Sequence, residues 1–181
     1  MGNLVTNLLQ FSHRSQKQVS TLNIREEIEK TIELIHYHLR QNNIQVVREF
    51  APEVPEILAD RQQLRQLFLN LFTNASDAMP KGGTLTIRVA AQTEENKVLI
   101  EIADTGIGIP PEILPKVMEP FYTTKPEGKG TGLGLAICRR IVQEHQGTLN
   151  VSSEGIPGKG TKIRITLSSI DPGNSVALTD P

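Results

Sequence analysis

The segment spanning residues 104–135 constrains the fold of this chain most strongly, because a Gly-rich turn lies at each of its ends. The first turn is residues 104–108 (DTGIG), and the second is residues 130–134 (GTGLG). Between them the chain carries five prolines, which neither a continuous helix nor a central strand would tolerate. We therefore predict a mobile flap over residues 109–130. On one side of it lies the turn that begins with the carboxylate of Asp104, and on the other lie the backbone N–H groups at the start of a helix.

Hydrophobic periodicity on both sides of the flap predicts alternating helices and strands. The predicted helices run from the N-cap Asn23 to about residue 42, over residues 60–79 and over residues 133–145. The predicted strands lie mostly in hairpins at 84–103 and 148–167, with others at 19–22, 44–50 and 57–58. This order indicates an α+β fold, a two-layer sandwich with a mixed, mostly antiparallel sheet and helices on one face.

Composition and charge exclude several classes of function. The chain has 181 residues and a formal net charge of −1, so nothing indicates a nucleic acid or an anionic membrane as its partner. No apolar run approaches the ~20 residues that a membrane span needs. The single cysteine, Cys138, excludes an internal disulfide and is typical of a reducing compartment. Its place on an inward helical stripe predicts a core residue.

The two ends of the chain differ from its centre. Residues 4–16 carry apolar side chains at helical spacing, whereas residues from 171 onward are rich in Pro, Gly, Asn and Ser without any period. We therefore expect one compact unit over residues 19–168 and a disordered tail over residues 169–181.

Two amides lie one turn apart on the predicted helix 60–79. Asn70 and Asn74 share one edge of an otherwise apolar surface, where buried amides need partners. Two interpretations stay open: the amides cap neighbouring loops, or they meet a metal–phosphate group. An amide oxygen suits Mg²⁺, which keeps several waters and takes phosphate oxygens as further ligands.

Each Gly-rich turn also has two interpretations. Asp104 closes an Ile-rich strand, so its carboxylate either forms an ordinary Asx-turn or accepts a hydrogen bond from the exocyclic amine of a base. Residues 130–134 precede a helix, whose backbone N–H groups hold phosphate in some proteins and merely start the helix in others. This turn is neither a P-loop nor a dinucleotide fingerprint, because the required Lys-[Ser/Thr] is absent and no strand leads into it.

The four histidines show no spacing typical of metal ligands, either with the cysteine or with one another. His145 lies near the end of a predicted helix, which indicates a favourable contact with the helix dipole. Residues 158–161 (GKGT), taken alone, indicate a hairpin loop.

Five motifs follow one another along the chain. They are residues 70–78 (NLFTNASDA), 104–108 (DTGIG), 121–125 (FYTTK), 130–135 (GTGLGL) and 158–161 (GKGT). In this order they closely resemble the catalytic ATP-binding domain of sensor histidine kinases, over roughly residues 20–168. The flap motif is most similar to the nitrogen-regulation branch. The resemblance implies the Bergerat ATP-binding fold, ATP with Mg²⁺, and phosphoryl transfer to a histidine.

The resemblance also implies roles for the matching residues. Asn74 is expected to ligate Mg²⁺, Asn70 to support the phosphates and Lys125 to reach them as a point charge, and these three form the expected catalytic group. Asp104 is expected to bind the adenine amine, with Thr161 beside it through water. The other expected nucleotide contacts are Gly106 and Gly108 at the base, and Gly130, Thr131, Gly132, Leu133 and Gly134 at the phosphates.

Two positions depart from patterns in the wider superfamily. Many members carry a Lys three residues after the second Asn, whereas Asp77 lines the expected nucleotide pocket at that place. That phosphate contact is therefore absent, and Lys125 or Lys129 takes it over. Gyrase-type ATPases carry a Glu four residues before the metal-binding Asn, where this chain has Asn70. Because an amide cannot take a proton from water, we expect ATP binding with slow intrinsic hydrolysis.

None of the four histidines is followed by an acidic residue, as the family's phosphoacceptor is. We expect residues 1–18 to be the C-terminal part of the second dimerisation helix, and the acceptor histidine to lie on a dimerisation domain absent from this chain. The expected partners are that domain and a response regulator, with no nucleic acid. We expect a monomeric fragment, a homodimeric full-length kinase and a cytoplasmic location. The alternatives are an ATP-sensing interaction module without transfer and a gyrase-type ATPase relative.

Overall fold

A computed structural model describes residues 18–170 of the chain. The predicted apolar stripe at residues 4–16 lies outside the described residues, and so does the predicted tail at 169–181 apart from its first two residues. Ser169 N and Ile170 N donate hydrogen bonds to the carbonyl oxygens of Asn96 at 2.9 Å and Glu56 at 2.8 Å, so these two residues are part of the folded unit. Within the described part, none of the helices is both long and apolar enough to cross a membrane.

Three α-helices and seven strands make up the described part of the chain. In order they are β1 (Val19–Leu22), α1 (Ile24–Gln41), β2 (Ile44–Phe50), β3 (Ile57–Asp60), α2 (Arg61–Asp77), β4 (Gly83–Gln92), β5 (Lys97–Asp104), α3 (Gly134–Glu144), β6 (Thr148–Ser153) and β7 (Thr161–Ser168). Short 3₁₀ turns occur at Thr93–Glu95 and Leu114–Lys116. The bounds follow the predicted elements, except that β3 continues to Asp60, where it pairs with Val19 of β1.

Five strands form the main sheet, in the order β2-β4-β5-β7-β6. β2 runs parallel to β4, with Ile44 opposite Gly83, and the other three neighbouring pairs are antiparallel. The parallel pair requires a crossover, which runs through β3 and α2. β1 and β3 form a separate two-stranded antiparallel sheet. The predicted α+β sandwich with a mixed, mostly antiparallel sheet is therefore confirmed.

One face of the main sheet packs against the helices and forms the core. Alternate residues of β4, β5 and β7 are almost fully buried, among them Ile87, Ile100 and Ile165, because successive strand side chains point to opposite faces. Phe68 of α2 and Cys138 of α3 belong to the same core. Cys138 is fully buried, so its predicted core role is confirmed, and burial raises the pKa of its thiol to about 12.

The opposite face of the sheet is charged. Glu101 of β5 accepts hydrogen bonds from Arg88 Nη1 at 2.8 Å and Arg164 Nη2 at 3.0 Å, and Lys162 Nζ lies 3.3 Å from the same carboxylate. Arg88 also pairs with Glu49 of β2. Glu101 is buried beneath these cations, whereas the three cations remain close to half exposed. This face is therefore polar and does not compete with the apolar face for the helices.

The three helices differ in how their first backbone N–H groups are satisfied. At α1, Asn23 Oδ1 accepts a hydrogen bond from Arg25 N at 3.0 Å, and at α2, Asp60 Oδ1 accepts one from Gln63 N at 3.0 Å. Leu133, the N-cap residue of α3, makes no side-chain cap hydrogen bond. The first turn of α3 therefore keeps backbone donors for a partner outside the helix.

Candidate functional site

The last turn of α2 is the place where the separate motifs meet. Asn74 faces the start of α3, since a Cβ built on Gly134 would lie 3.6 Å from Asn74 Nδ2 and 3.9 Å from its Oδ1. Asp77 forms an ion pair with Lys125 of the flap. The Ala78 carbonyl oxygen accepts a hydrogen bond at 2.9 Å from a backbone N–H of the first Gly-rich turn. One helical turn thus contacts the first Gly-rich turn, the flap and the second Gly-rich turn.

Asp104 ends β5 and is nearly buried. Its Oδ1 accepts hydrogen bonds from Gly106 N at 2.9 Å and from Thr161 N at 3.2 Å, and neither bond uses Oδ2. The bond from Gly106 N is an Asx-turn, which was one of the two open interpretations. This turn holds the carboxylate in one orientation and leaves the second oxygen to accept another donor. Thr161 contacts Asp104 through its backbone N–H.

Burial dominates the acid–base chemistry of Asp104. Removal from water raises the pKa of this carboxyl above its ordinary value, and the N–H donors of Gly106 and Thr161 oppose that shift. The ionised carboxylate is therefore held at a cost in free energy. A further hydrogen-bond donor to the carboxylate would reduce that cost, as the amine of a base would.

Both glycines predicted at the base pocket are required by close contacts. A Cβ on Gly106 would collide with the carbonyl group of Ala78 and lie 2.9 Å from its Cβ. Gly108 has a φ of 74°, and a Cβ there would lie 3.0 Å from Ser153 Oγ. The first Gly-rich turn therefore packs on the end of α2 at one side and on the end of β6 at the other.

Two hydroxyl side chains hold the first Gly-rich turn, and sequence patterns did not reveal them. Thr105 Oγ1 accepts a hydrogen bond from Thr84 N at 3.0 Å. Ser153 Oγ accepts one from Ile109 N at 2.8 Å and donates one to the Gly160 carbonyl oxygen at 2.7 Å. Thr105 lies inside a motif that the sequence displays, whereas Ser153 carries no local signal because its partners belong to distant segments.

The glycines of the second turn contact different neighbours. Gly132 has a φ of 67°, and a Cβ there would collide with the backbone of Phe121 in the flap. A Cβ on Gly130 would lie 2.9 Å from Lys125 Cβ, also in the flap. Of these three glycines, Gly134 is the one that faces α2. The flap therefore covers part of the predicted phosphate turn, and the open part is the start of α3.

Leu133 and Thr131 are already joined within the second turn. Leu133 N donates a hydrogen bond to Thr131 Oγ1 at 3.3 Å, and the Leu133 side chain is fully buried in the core. Among the N–H groups predicted to hold phosphate, that of Leu133 thus has an internal partner, which a ligand would have to replace.

Asn70 lies one turn before Asn74 on α2, and its amide nitrogen is buried. Within residues 18–170 no acceptor meets this nitrogen at hydrogen-bond geometry, although the Asn70 side chain interacts with the Cys138 thiol, where it opposes the rise in pKa that burial causes. A buried donor without an acceptor raises the free energy of the folded state. An oxygen of an anionic ligand bound between α2 and the start of α3 would be a stronger acceptor than that thiol.

Lys125 is the flap residue predicted to reach phosphate, and its ammonium contacts Asp77 Oδ2. The two side chains are 36% and 40% exposed, so the pair lies at the rim of the site. Asp77 occupies the position at which the resemblance led us to expect a Lys, and it brings a cation to the same turn of α2. Lys129, the alternative cation, lies in a turn closed by its own N–H on the Pro126 carbonyl oxygen at 3.0 Å.

Two histidines of the described range make structural contacts. His145 Nε2 accepts a hydrogen bond from Asp60 N at 3.0 Å, and its Nδ1 lies 2.7 Å from the Ile141 carbonyl oxygen at the end of α3. His38 Nε2 lies 3.1 Å from Ser76 Oγ. Within residues 18–170, no group of three or more His, Cys, Asp or Glu side chains is arranged to hold a metal ion.

Comparison with known proteins identifies the family. Residues 59–170 match the family described as Histidine kinase-, DNA gyrase B-, and HSP90-like ATPase. Sporulation kinase E of Bacillus subtilis (strain 168) is 40% identical over 137 residues, which cover 76% of this chain and 18% of that protein. The chain therefore spans only a minor part of the length of this curated relative.

Solved structures of histidine kinases share the fold. Full-length ShkA in complex with AMPPNP has a TM-score of 0.80 at 26% identity, covering 93% of this chain and 36% of that chain. The catalytic domain of histidine kinase ThkA, in a nucleotide-free form, has a TM-score of 0.74 at 29% identity, covering 84% and 96%. A structure of ThkA in complex with response regulator protein TrrA has a TM-score of 0.77 at 26% identity, covering 93% and 47%.

The family match covers four of the five strands of the main sheet and all the motifs that meet at the end of α2. Assignment to the nitrogen-regulation branch stays a prediction. The chain belongs to the histidine kinase-, DNA gyrase B- and HSP90-like ATPase family, and within it the chain is the catalytic ATP-binding domain of a histidine kinase.

Proposed function

We propose that this domain binds ATP with Mg²⁺ and transfers the γ-phosphoryl group to a histidine on a dimerisation domain outside this chain. The observation that carries the proposal is the meeting of the Asp104 turn, Lys125 of the flap and the start of α3 on the last turn of α2. These elements offer a carboxylate acceptor, a cation and backbone donors. One nucleotide needs all three, for its base and for its phosphates.

Asp104 selects the base in this proposal. Two backbone donors hold Oδ1, so Oδ2 accepts a hydrogen bond from the 6-amino group of adenine. Guanine would present a carbonyl oxygen at that place, and two acceptors repel each other. Gly106 and Gly108 shape the base pocket by letting the Asp104 turn pack closely on Ala78 and Ser153, where any Cβ would be crowded.

The start of α3 and the second Gly-rich turn hold the phosphates in this proposal. Backbone N–H groups and the helix dipole favour an anion at a helix start that no side chain caps. A phosphate oxygen near Asn70 supplies a stronger acceptor than the Cys138 thiol with which that side chain interacts. Lys125 adds a positive charge from the flap.

Asn74 is the proposed protein ligand of Mg²⁺. Within the described residues no cluster of acidic, cysteine or histidine side chains is arranged to hold a metal, so the ion depends on an amide oxygen, phosphate oxygens and water. When bound, Mg²⁺ neutralises charge on the phosphates during transfer. Gly134 leaves room beside Asn74, because any larger residue would extend towards its amide.

Transfer requires positioning more than acid–base chemistry from this chain. The acceptor imidazole nitrogen bonds to the γ-phosphorus while the bond from that phosphorus to the β–γ bridging oxygen breaks, and ADP leaves. A neutral imidazole attacks with a free lone pair and needs no base. Asn70 cannot deprotonate water, so hydrolysis stays slow relative to transfer. The residues of this chain orient the nucleotide and neutralise its charge.

The proposed partners are the dimerisation domain of the same kinase and a response regulator. The solved complex of ThkA with a response regulator supports the second partner by similarity. The proposal takes residues 1–18 as the C-terminal part of the second dimerisation helix, 19–168 as the catalytic ATP-binding unit and the rest of the chain as a tail whose first two residues still hydrogen-bond to that unit. The proposal includes a monomeric fragment, a homodimeric full-length kinase and a cytoplasmic location, where ATP is available as the donor.

Trans-phosphorylation tests the proposal. The full chain is mixed with a separately supplied dimerisation domain, Mg²⁺ and γ-labelled ATP, and a dimerisation domain without its acceptor histidine is the control. We expect label on the intact acceptor domain and none on this chain. ATP binding without transfer would indicate a sensing module instead. Gyrase-like hydrolysis that survives Asn70→Ala would indicate an ATPase.

A further inference from the structure

An ion pair between Asp77 and Lys125 joins α2 to the flap. We propose that Asp77 is a positioning residue, which holds the Lys125 ammonium one helical turn from Asn74 before the nucleotide binds. The cation that faces the terminal phosphate is then in place in advance. This inference rests on the proposed function, because it concerns how the same site receives ATP.

The pair lies on the same edge of α2 as the proposed metal ligand. Asp77 is the last residue of α2 and follows Asn74 by three positions, so the two side chains share an edge of the helix. Asn74 in turn faces Gly134 at the start of α3. The Lys125 ammonium therefore lies beside the space between the two helices. It has three donors, so a bond to Asp77 leaves others for phosphate oxygens.

An acidic residue at this place brings no benefit to α2 itself. The C-terminal end of a helix carries partial negative charge, and the last turn of α2 contains no basic residue. An unpaired Asp77 would also repel a polyphosphate bound near Asn74. The ion pair with Lys125 removes both penalties, which gives a physical reason for the two residues to occur together.

The pair restricts the position of the ammonium more than it stabilises the fold. Ion pairs at the rim of a protein contribute little to stability, and both partners here are more than a third exposed. The backbone of Lys125 is held separately, because its N–H donates to Thr123 Oγ1 at 3.1 Å and its Cβ packs against Gly130. With the backbone fixed on one side and Asp77 on the other, the side chain loses little further freedom when phosphate binds.

The proposal predicts the opposite of simple charge repulsion. If Asp77 were only a negative charge near the phosphates, Asp77→Asn would strengthen ATP binding. If Asp77 positions Lys125, the same change should weaken binding of Mg-ATP about tenfold. Binding of Mg-ADP should change much less, because the terminal phosphate is missing. The ratio of the two affinities therefore reports the positioning role.

The test is calorimetric titration of the full chain with Mg²⁺ and a non-hydrolysable ATP analogue, and separately with Mg-ADP. Asp77→Asn and Lys125→Met should lose similar affinity for the analogue, and the double variant should lose no more, because both act through one contact. Asp77→Glu should keep most of the wild-type ratio between the affinity for the ATP analogue and the affinity for ADP. Asp77→Lys combined with Lys125→Met, which places the cation on α2 directly, should recover it. Lys97→Met, which breaks an exposed pair with Glu95 in the β4–β5 hairpin, is the matched control and should match the wild type.

Unchanged or tighter binding of the ATP analogue by Asp77→Asn would overturn the positioning role. Losses that add in the double variant would overturn it too, as would equal losses for the analogue and for ADP, which indicate a general disturbance of the pocket. A wild-type chain that binds neither nucleotide would overturn the proposed function itself, and the positioning role with it.

Discussion

The backbone of Gly134 and the side-chain amide of Asn74 lie so close that a Cβ on Gly134 would be 3.6 Å from Asn74 Nδ2. This approach joins the first residue of α3 to the last turn of α2, although two strands and the flap separate them in the chain. Backbone donors at a helix start and an amide oxygen on the neighbouring helix thus face one space. A metal-bound phosphate needs both kinds of group.

Filling that space should weaken nucleotide binding while the fold is kept. At 3.6 Å an added methyl group makes ordinary van der Waals contact, so Gly134→Ala should unfold at a temperature close to that of the wild type. Gly134→Val adds methyl groups that extend towards Asn74, and it should lower Mg-ATP affinity about tenfold or more. Calorimetric titration measures the affinity, with thermal unfolding as the control. A valine variant that binds ATP as tightly as the wild type would contradict this location of the site.

Removal of the Asn74 amide should abolish the gain in ATP affinity that Mg²⁺ brings. In the wild type we expect tighter binding with Mg²⁺ than with a chelator, because the ion joins Asn74 to the phosphates. In Asn74→Ala the two affinities should converge. Asn150→Ala, on the exposed edge strand β6, is the matched control and should keep the full dependence on Mg²⁺. If Asn74→Ala also kept it, the metal ligand would have to be another residue.

ATP binding should weaken as the pH falls, and the weakening should begin at a higher pH than protonation of an ordinary aspartate would cause. Burial raises the pKa of Asp104, so its carboxylate takes up a proton earlier than usual and then accepts the adenine amine less well. Asp104→Asn does not titrate, so the ratio of wild-type to variant affinity removes the titration of the nucleotide itself. Titrations over a pH series should show this ratio falling towards low pH. A constant ratio would refute the role of Asp104 in base binding.

The same raised pKa predicts the opposite trend for stability. A folded-state pKa above the unfolded one means that the folded chain binds the proton more tightly. The loss of stability caused by burying the ionised Asp104 carboxylate is therefore complete above the folded-state pKa and disappears below the unfolded-state pKa. Asp104→Asn keeps an Oδ1 acceptor for Gly106 and Thr161. It should therefore raise the unfolding temperature at neutral pH and bring no gain at low pH. Scanning calorimetry at several pH values checks this, and a variant less stable at neutral pH would argue against it.

A methyl group at Gly132 should displace the flap. Gly128 and Gly132 have φ values of 84° and 67°, so alanine costs each about 1–2 kcal/mol in backbone conformation. Nothing lies within 4 Å of a Cβ on Gly128, whereas a Cβ on Gly132 collides with the Phe121 backbone. Gly132→Ala should therefore lose more stability than Gly128→Ala, and its flap amides should exchange hydrogen faster.

Hydrogen exchange with and without a non-hydrolysable ATP analogue measures this difference. Nucleotide should protect residues 109–130 in the wild type and in Gly128→Ala, which is the matched control for backbone strain. Protection should be lost in Gly132→Ala. Equal exchange in the two variants would show that the contact with Phe121 does not hold the flap.

Much of the fold could be predicted because its causes are local. The caps Asn23 and Asp60, the alternation along β4 to β7 and the Pro-rich flap each act within a few residues. The order of the motifs was enough to predict which residues line a nucleotide site, and that set stays a prediction. The predicted β3 ended too early, at residue 58, because its last residues are strand only through pairing with β1.

The sequence by itself determined the class of fold, the order of the motifs and the residue types that a nucleotide site requires. Only the tertiary structure decided that Asp77 pairs with Lys125 and that the backbone N–H of Thr161 orients Asp104. It also decided that two glycines of the second turn pack against the flap. The physical reason is that a local pattern records the backbone conformation and the buried face that a segment prefers. Partners from distant segments are chosen only when strands pair and helices pack.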